Sequence, residues 1–130
     1  MPRLLIVDNE ESIRFSLSEY FWLHGYEVDT ARAMEEVETL LVSTNYEAVI
    51  QDLRLGENRG DGLDIIKIVR RHNPRTRIIV LTAYGSEETE DEAKRCGADA
   101  FLRKPKPLSQ IAQVIAGLLE SSFPKNAQRN

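Results

Sequence analysis

The sequence predicts an α/β fold: a doubly wound five-stranded parallel sheet of order 2-1-3-4-5, with five helices covering both faces. Three observations predict it. Short apolar runs recur five times, and each is followed by a longer stretch with apolar residues at helical spacing. The first, third and fourth runs are almost purely aliphatic, as strands buried on both faces must be. The second and fifth carry Glu27, Asp29 and Asp99, which places them at the edges of the sheet.

The elements follow in chain order. Leu4-Leu5-Ile6-Val7 reads as the first strand, and Ile13, Leu17, Tyr20 and Phe21 mark the inner face of the first helix. Glu27–Ala31 is the second strand, and Val37, Leu40 and Leu41 belong to the second helix. Residues 48–50 form the third strand. Leu63, Ile66, Val69 and Arg70 define a third helix that Asn73-Pro74 closes. Residues 78–81 are the fourth strand. The stretch 86–96 is the weakest helix, with Thr89, Ala93 and Cys96 as its inward positions. Residues 98–102 form the fifth strand, and Leu108, Ile111, Ala112, Ile115 and Leu119 line the fifth helix. Gly25, Gly62, Gly85 and Gly97 punctuate the alternation.

A chain of 130 residues with 42% hydrophobic and 29% charged residues suits one globular domain, expected over residues 1–122. Residues 123–130, polar after Phe123 and containing Pro124, read as a tail or the start of a linker. Seventeen basic against twenty-one acidic residues give a net charge of −4, which argues against direct nucleic-acid contact by this chain. With Cys96 alone there is neither an internal disulfide nor a thiolate zinc cluster. His24 and His72 bring no metal-ligand spacing. The sequence contains neither a signal peptide nor a membrane span, so the expected location is cytoplasmic, with no membrane contact.

In an open parallel sheet, ligands bind beyond the carboxyl ends of the strands. Asp8, Asn9 and Glu10 follow the first strand, Asp52 the third, Thr82 the fourth, and Lys104-Pro105 the fifth. Carboxylates, an amide, a hydroxyl and an ammonium on one rim suit a divalent cation beside a phosphoryl group. Mg2+ takes hard oxygen ligands, and a lysine and a hydroxyl can hold phosphoryl oxygens. Each residue also has a plain reading. Asp8 can equally be the N-cap of the next helix, Asp52 a turn aspartate, Thr82 an ordinary strand residue and Lys104 a solvated lysine. The same plain reading makes Cys96 a small buried apolar residue and His72 a helix C-terminal cation. Only a shared function predicts four groups on four strand ends together.

The strings Leu-Ile-Val-Asp-Asn-Glu-Glu-Ser (5–12), Val-Ile-Gln-Asp-Leu-Arg-Leu (49–55), Asp-Gly-Leu (61–63), Val-Leu-Thr-Ala-Tyr-Gly (80–85) and Gly-Ala-Asp-Ala-Phe-Leu-Arg-Lys-Pro (97–105) resemble a response-regulator receiver domain of two-component signalling. The resemblance covers about residues 3–121 and brings with it a flavodoxin-like, chemotaxis-regulator-like fold. It implies that Asp52 accepts a phosphoryl group from a phosphohistidine on a sensor histidine kinase. Asp8, Asn9, Asp52 and the backbone carbonyl of Arg54 would bind Mg2+ or Mn2+. Thr82 and Lys104 would each hold a phosphoryl oxygen, and Lys104-Pro105 falls where the family often has a cis peptide. Thr82 and Phe101 would form the switch, the aromatic ring turning inward as the threonine moves. Such a chain catalyses only its own phosphorylation and dephosphorylation, so it is not an enzyme in the usual sense.

Three features depart from the family pattern. Asn9 stands where a second acid is usual, which removes one negative charge and lowers the expected metal affinity. In the loop after Asp52, Gly56 replaces a proline and about two residues are inserted before Asp61-Gly62, so that Glu57, Asn58 and Arg59 are expected beside the site. Lys106 adds positive charge where an apolar residue is usual. Asn9 also supports a rival reading, a degenerate receiver that binds partners without phosphorylation. A flavin- or nucleotide-binding enzyme of the same fold would want a Gly-rich phosphate loop where this chain has Asp8-Asn9-Glu10-Glu11. The acids Glu87, Glu88, Glu90, Asp91 and Glu92 read as a solvated face. They are also compatible with a homodimer through the helix 4–strand 5–helix 5 face, set against Arg95, Arg103, Lys104 and Lys106.

Overall fold

The computed structural model describes residues 1–55 and 61–121. Expectations for residues 56–59 and for the 123–130 tail fall outside the described residues. The chain alternates strictly: β1 (Arg3–Val7), α1 (Glu11–Leu23), β2 (Glu27–Ala31), α2 (Met34–Ser43), β3 (Ala48–Gln51), α3 (Asp61–His72), β4 (Arg77–Thr82), α4 (Glu87–Cys96), β5 (Ala100–Arg103) and α5 (Leu108–Ser121). The strands form one sheet of order β2-β1-β3-β4-β5, with every neighbouring pair parallel, as the sequence predicts.

Period-two alternation divides the strand residues between two cores. Leu5, Val7, Val49, Ile78 and Val80 face α2, α3 and α4, where Val37, Ile65, Ile66, Val69 and Ala93 cover them. Leu4, Ile6, Ile50, Ile79 and Leu81 face α1 and α5, meeting Leu17, Phe21, Ile111 and Ile115. Both faces being dry explains why the central strands are aliphatic without alternation. The charged edge strand β2 is held by Arg3, which pairs with Glu27 and reaches Asp29 at 3.5 Å. Asp29 also accepts a 2.7 Å hydrogen bond from the hydroxyl of Tyr46. Burial, with the Asp29 carboxylate, pushes the Tyr46 phenol well above its usual range.

β5 begins at Ala100, two residues later than expected, because Asp99 does other work. Its N–H donates to the Ile78 carbonyl and its carboxylate accepts the Ile78 N–H, each at 2.8 Å. The same carboxylate meets Arg70 at 3.2 Å and Arg77 at 3.3 Å. Regular pairing starts one step on, at Ile79↔Ala100. α4 forms despite its weak apolar face because its ends are well made. Ser86 caps it by accepting the Thr89 N–H at 3.1 Å, acids fill the first turn, and Lys94 and Arg95 close the last. Cys96 is half-buried and packs on the α2–α4 core, and His72 sits exposed in the last turn of α3.

The chain leaves β1 to one side for β2 and returns on the other for β3. Crossovers above β1 and β3 therefore diverge, opening a cleft between the carboxyl ends of these two strands. Asp8 and Asp52 emerge there.

Candidate functional site

Each aspartate continues its strand by one hydrogen bond and then turns into the cleft. The Asp8 N–H donates to Ala31 O at 3.1 Å and that of Asp52 to Val7 O at 3.0 Å. Both residues are buried, with side chains only 4% and 5% exposed. Asp8 Oδ1 accepts the Glu10 N–H at 2.9 Å, and its carbonyl accepts from Arg14 Nη1 at 2.7 Å. The N-cap of α1 is Glu10, with no side-chain cap, so Asp8 is not the helix cap. Asp52 Oδ1 accepts the N–H groups of Leu53 at 2.7 Å and Arg54 at 3.3 Å. The second oxygen of each carboxylate remains for the cleft.

Those two oxygens share one cation. Lys104 Nζ lies 2.9 Å from Asp8 Oδ2 and 3.0 Å from Asp52 Oδ2, with Glu10 further off at 4.0 Å. The Lys104 N–H donates to Thr82 O at 2.9 Å, and Lys104-Pro105 is a cis peptide. Burial works to lower the pKa of the ammonium. Hydrogen bonds to Asp8 and Asp52, and the charge of both carboxylates, outweigh it and hold the pKa above its usual value. Two buried carboxylates facing one another repel, so the pocket favours positive charge between them.

The cleft has a volume of about 410 Å³ and is lined by Asn9, Asp52, Arg54, Tyr84 and Lys104, among others. Asn9 is exposed at its edge. The Arg54 guanidinium stacks 4.1 Å above the ring of Tyr84, and both line the cleft. Thr82 is fully buried at the end of β4, and its Oγ1 accepts the Tyr84 N–H at 3.1 Å. Thr82 itself does not line the cleft; Ala83 and Tyr84 do. Phe101 is buried on the β4–β5 side, its ring so close to Gly85 that an added Cβ would stand 2.8 Å from Cε1. Arg103 lies over that ring and binds Gly85 O at 3.2 Å and Glu90 of α4 at 3.0 Å. Glu90 is thus half-buried and paired rather than a free member of the acidic face, and Lys94 and Arg103 hold its carboxyl below the usual range.

The structure thus gathers Asp8, Asp52 and Lys104 directly, sets Asn9 and Arg54 at the mouth, and leaves Thr82 and Phe101 behind the wall. Among the described residues no three His, Cys, Asp or Glu side chains group as a metal cluster. Two carboxylates meet in the cleft that Asn9 and Arg54 also line, and hard oxygens of this kind suit an ion that keeps several waters. A larger cavity, about 620 Å³, lies at the opposite end of the sheet against Tyr46, Arg75 and Leu119, remote from these groups. Sequence reasoning missed three supports: Arg14 behind Asp8, Tyr84 under Arg54, and Gln51. Only Gln51 had a signal, an amide ending an otherwise aliphatic strand.

Fold and site together define a single-sheet α/β domain with an acidic, lysine-bridged cleft at its switch point. The chain belongs to the response regulator receiver domain family, whose family model matches residues 4–116. It is 34% identical over 98% of its length to the regulatory protein AtoC of Escherichia coli, and 32% identical over 95% to the response regulator PilR of Pseudomonas aeruginosa. It spans only about a quarter of those relatives, 27% of each. A crystal structure of a response regulator from Burkholderia pseudomallei, with a phosphorylated aspartic acid, calcium ion and citrate, superposes with a TM-score of 0.84 at 28% identity. That likeness covers 100% of this chain and 75% of the other. The beryllofluoride-activated NtrC4 receiver domain, a dimer in solution, gives a TM-score of 0.85 at 33% identity over 94% of this chain and 99% of that one. Among the described residues no helix is long and apolar enough to cross a membrane.

Proposed function

We propose that this chain is the phosphoacceptor domain of a two-component response regulator, with Asp52 taking a phosphoryl group from a phosphohistidine of a sensor histidine kinase. The observation that carries this is the single ammonium of Lys104 held between Asp8 and Asp52. A carboxylate attacks an anionic phosphoryl group only where cations offset the charge, and positioning supplies most of the rest. An oxygen of Asp52 forms the new O–P bond as the N–P bond to imidazole breaks and the imidazole leaves. Leu53 and Arg54 N–H groups hold the carboxylate in place. Lys104 moves from the carboxylates to a phosphoryl oxygen, and Thr82, one residue from the cleft wall, turns its hydroxyl to another.

Asp8, Asn9, Asp52 and the Arg54 carbonyl fit a hard divalent ion, Mg2+ or Mn2+, since the two carboxylates already share one cation. Bound Mg2+ supplies charge neutralisation for the attacking and transferred oxygens. The calcium ion of the Burkholderia pseudomallei structure is consistent with such a site. The aspartyl phosphate then adds about two negative charges at the rim. Withdrawal of Thr82 toward them frees space beside Phe101, which connects the site through Gly85 and Arg103 to α4. The α4–β5–α5 face is the output surface in this reading, for a second copy or a partner, in a cytoplasmic protein whose receiver unit covers residues 1–122.

The test is intact mass after incubation with acetyl phosphate, with and without Mg2+, beside Asp52→Ala. A gain of about 80 Da, one phosphoryl group, that requires Mg2+ and vanishes in the variant is the expected result. No gain at high donor and metal would make the chain a phosphorylation-independent binding module.

A further inference from the structure

Gln51 ends β3, immediately before Asp52, and its side chain is fully buried among aliphatic neighbours. An amide there is costly unless its hydrogen bonds are made. Nε2 donates to the Gly62 carbonyl at 2.8 Å and lies 3.4 Å from the Asp52 carbonyl, while Oε1 has no partner among the described residues. Only the NH2 end can face two carbonyl oxygens, so the amide orientation follows from its partners. A leucine would fill the same space without an orphaned oxygen. Packing alone therefore gives no account of Gln51.

Gly62 supplies one. It lies directly on the backbone that follows Asp52: an added Cβ would stand 2.3 Å from Leu53 O and 2.4 Å from Leu53 Cα. Leu53 and Arg54 in turn give the N–H groups that hold Asp52 Oδ1. The amide thus ties the entry of α3 to the exit of β3, across the loop between them. We infer that Gln51 is a positioning residue: by pinning Gly62 against Leu53 it sets the N–H groups that orient the Asp52 carboxylate and the Arg54 carbonyl offered to the metal. This rests on the phosphoacceptor reading of the cleft.

The test compares wild type with Gln51→Leu and Gln51→Met, by calorimetric Mg2+ titration at a temperature where each is fully folded and by thermal midpoint without metal. The Mg2+ dissociation constant is expected to rise on the order of tenfold, the usual effect of losing an outer support of a metal site. The thermal midpoint is expected to fall by a few degrees, since the Gly62 carbonyl loses its donor and the loss of the orphaned oxygen offsets this only in part. Wild-type affinity in a folded variant overturns the inference, whatever the midpoint does. Independently of any variant, the Gln51 side-chain NH2 must exchange with solvent far more slowly than those of the exposed Gln110 and Gln113; equal rates also overturn it. If wild type binds no Mg2+, the reading of the cleft fails, and the exchange rates still decide whether the clamp exists.

Discussion

Lys104 Nζ stands 3.0 Å from Asp52 Oδ2 although the two residues are 52 positions apart, and the same ammonium reaches Asp8 at 2.9 Å. The contact joins the ends of β5, β3 and β1 and makes one charge common to three strands. Its proton is held more tightly than in the unfolded chain, where the ordinary value is 10.5. A raised pKa contributes stability that is fully present below the unfolded value and is lost as pH rises through the folded one. Tyr46, raised above its ordinary 10.0 chiefly by burial, acts with the same sign. The denaturation midpoint should fall as pH rises above about 10, and fall less steeply in Tyr46→Phe. Stability that rises over that alkaline range would contradict the assignment.

Asn9 sits exposed at the mouth of the cleft, one residue from Asp8. Asn9→Asp adds a negative charge beside a divalent ion, partly offset by repulsion from Asp8 and Asp52. Calorimetry should show Mg2+ binding about three- to tenfold tighter, which is roughly 1 kcal/mol. An unchanged affinity would place Asn9 outside the coordination sphere.

Two glycines should respond oppositely to alanine. At Gly62 the new methyl meets Leu53 backbone at 2.3 Å, which cannot yield without moving β3 or α3. Gly62→Ala should lower stability by about 3 kcal/mol or more, read by urea denaturation. Gly117, inside α5, has nothing within 4 Å of an added Cβ. Gly117→Ala should raise stability by about 0.5–1 kcal/mol through helix propensity.

Arg70 of α3 binds Pro74 O at 2.8 Å, Thr76 O at 2.6 Å, Gly97 O at 2.6 Å and Asp99 at 3.2 Å. It closes the end of the sheet away from the cleft. Arg70→Met should cost about 1–3 kcal/mol in urea denaturation, leaving part-buried carbonyls unpaired, while Mg2+ affinity stays as in wild type.

The sheet order was legible because hydrophobic burial on both faces leaves a plain mark: aliphatic β1, β3 and β4, with charges on β2 and β5. Asp8, Asp52 and Lys104 were legible for a related reason, since strand ends of a parallel sheet share one rim. What escaped were side-chain contacts that no spacing along the chain predicts. Arg14 looks like any helix-surface arginine until its guanidinium meets the Asp8 carbonyl, and Tyr84 like any loop tyrosine until Arg54 stacks on it. The late start of β5 was hidden in the same way, because Asp99 brackets Ile78 with its side chain before the strand begins. Glu90 reads as one solvated acid among five, yet Arg103 at the end of β5 pairs with it.

The role of Asp52 is decided most directly by locating the phosphoryl group. After phosphorylation by acetyl phosphate with Mg2+, borohydride reduction of the acyl phosphate marks the acceptor, and tryptic peptide mapping finds it. The mark is expected at position 52, on the peptide that ends at Arg54, and nowhere else. A mark on Asp8 or Glu10, or a phosphoryl group that borohydride does not release, would contradict it.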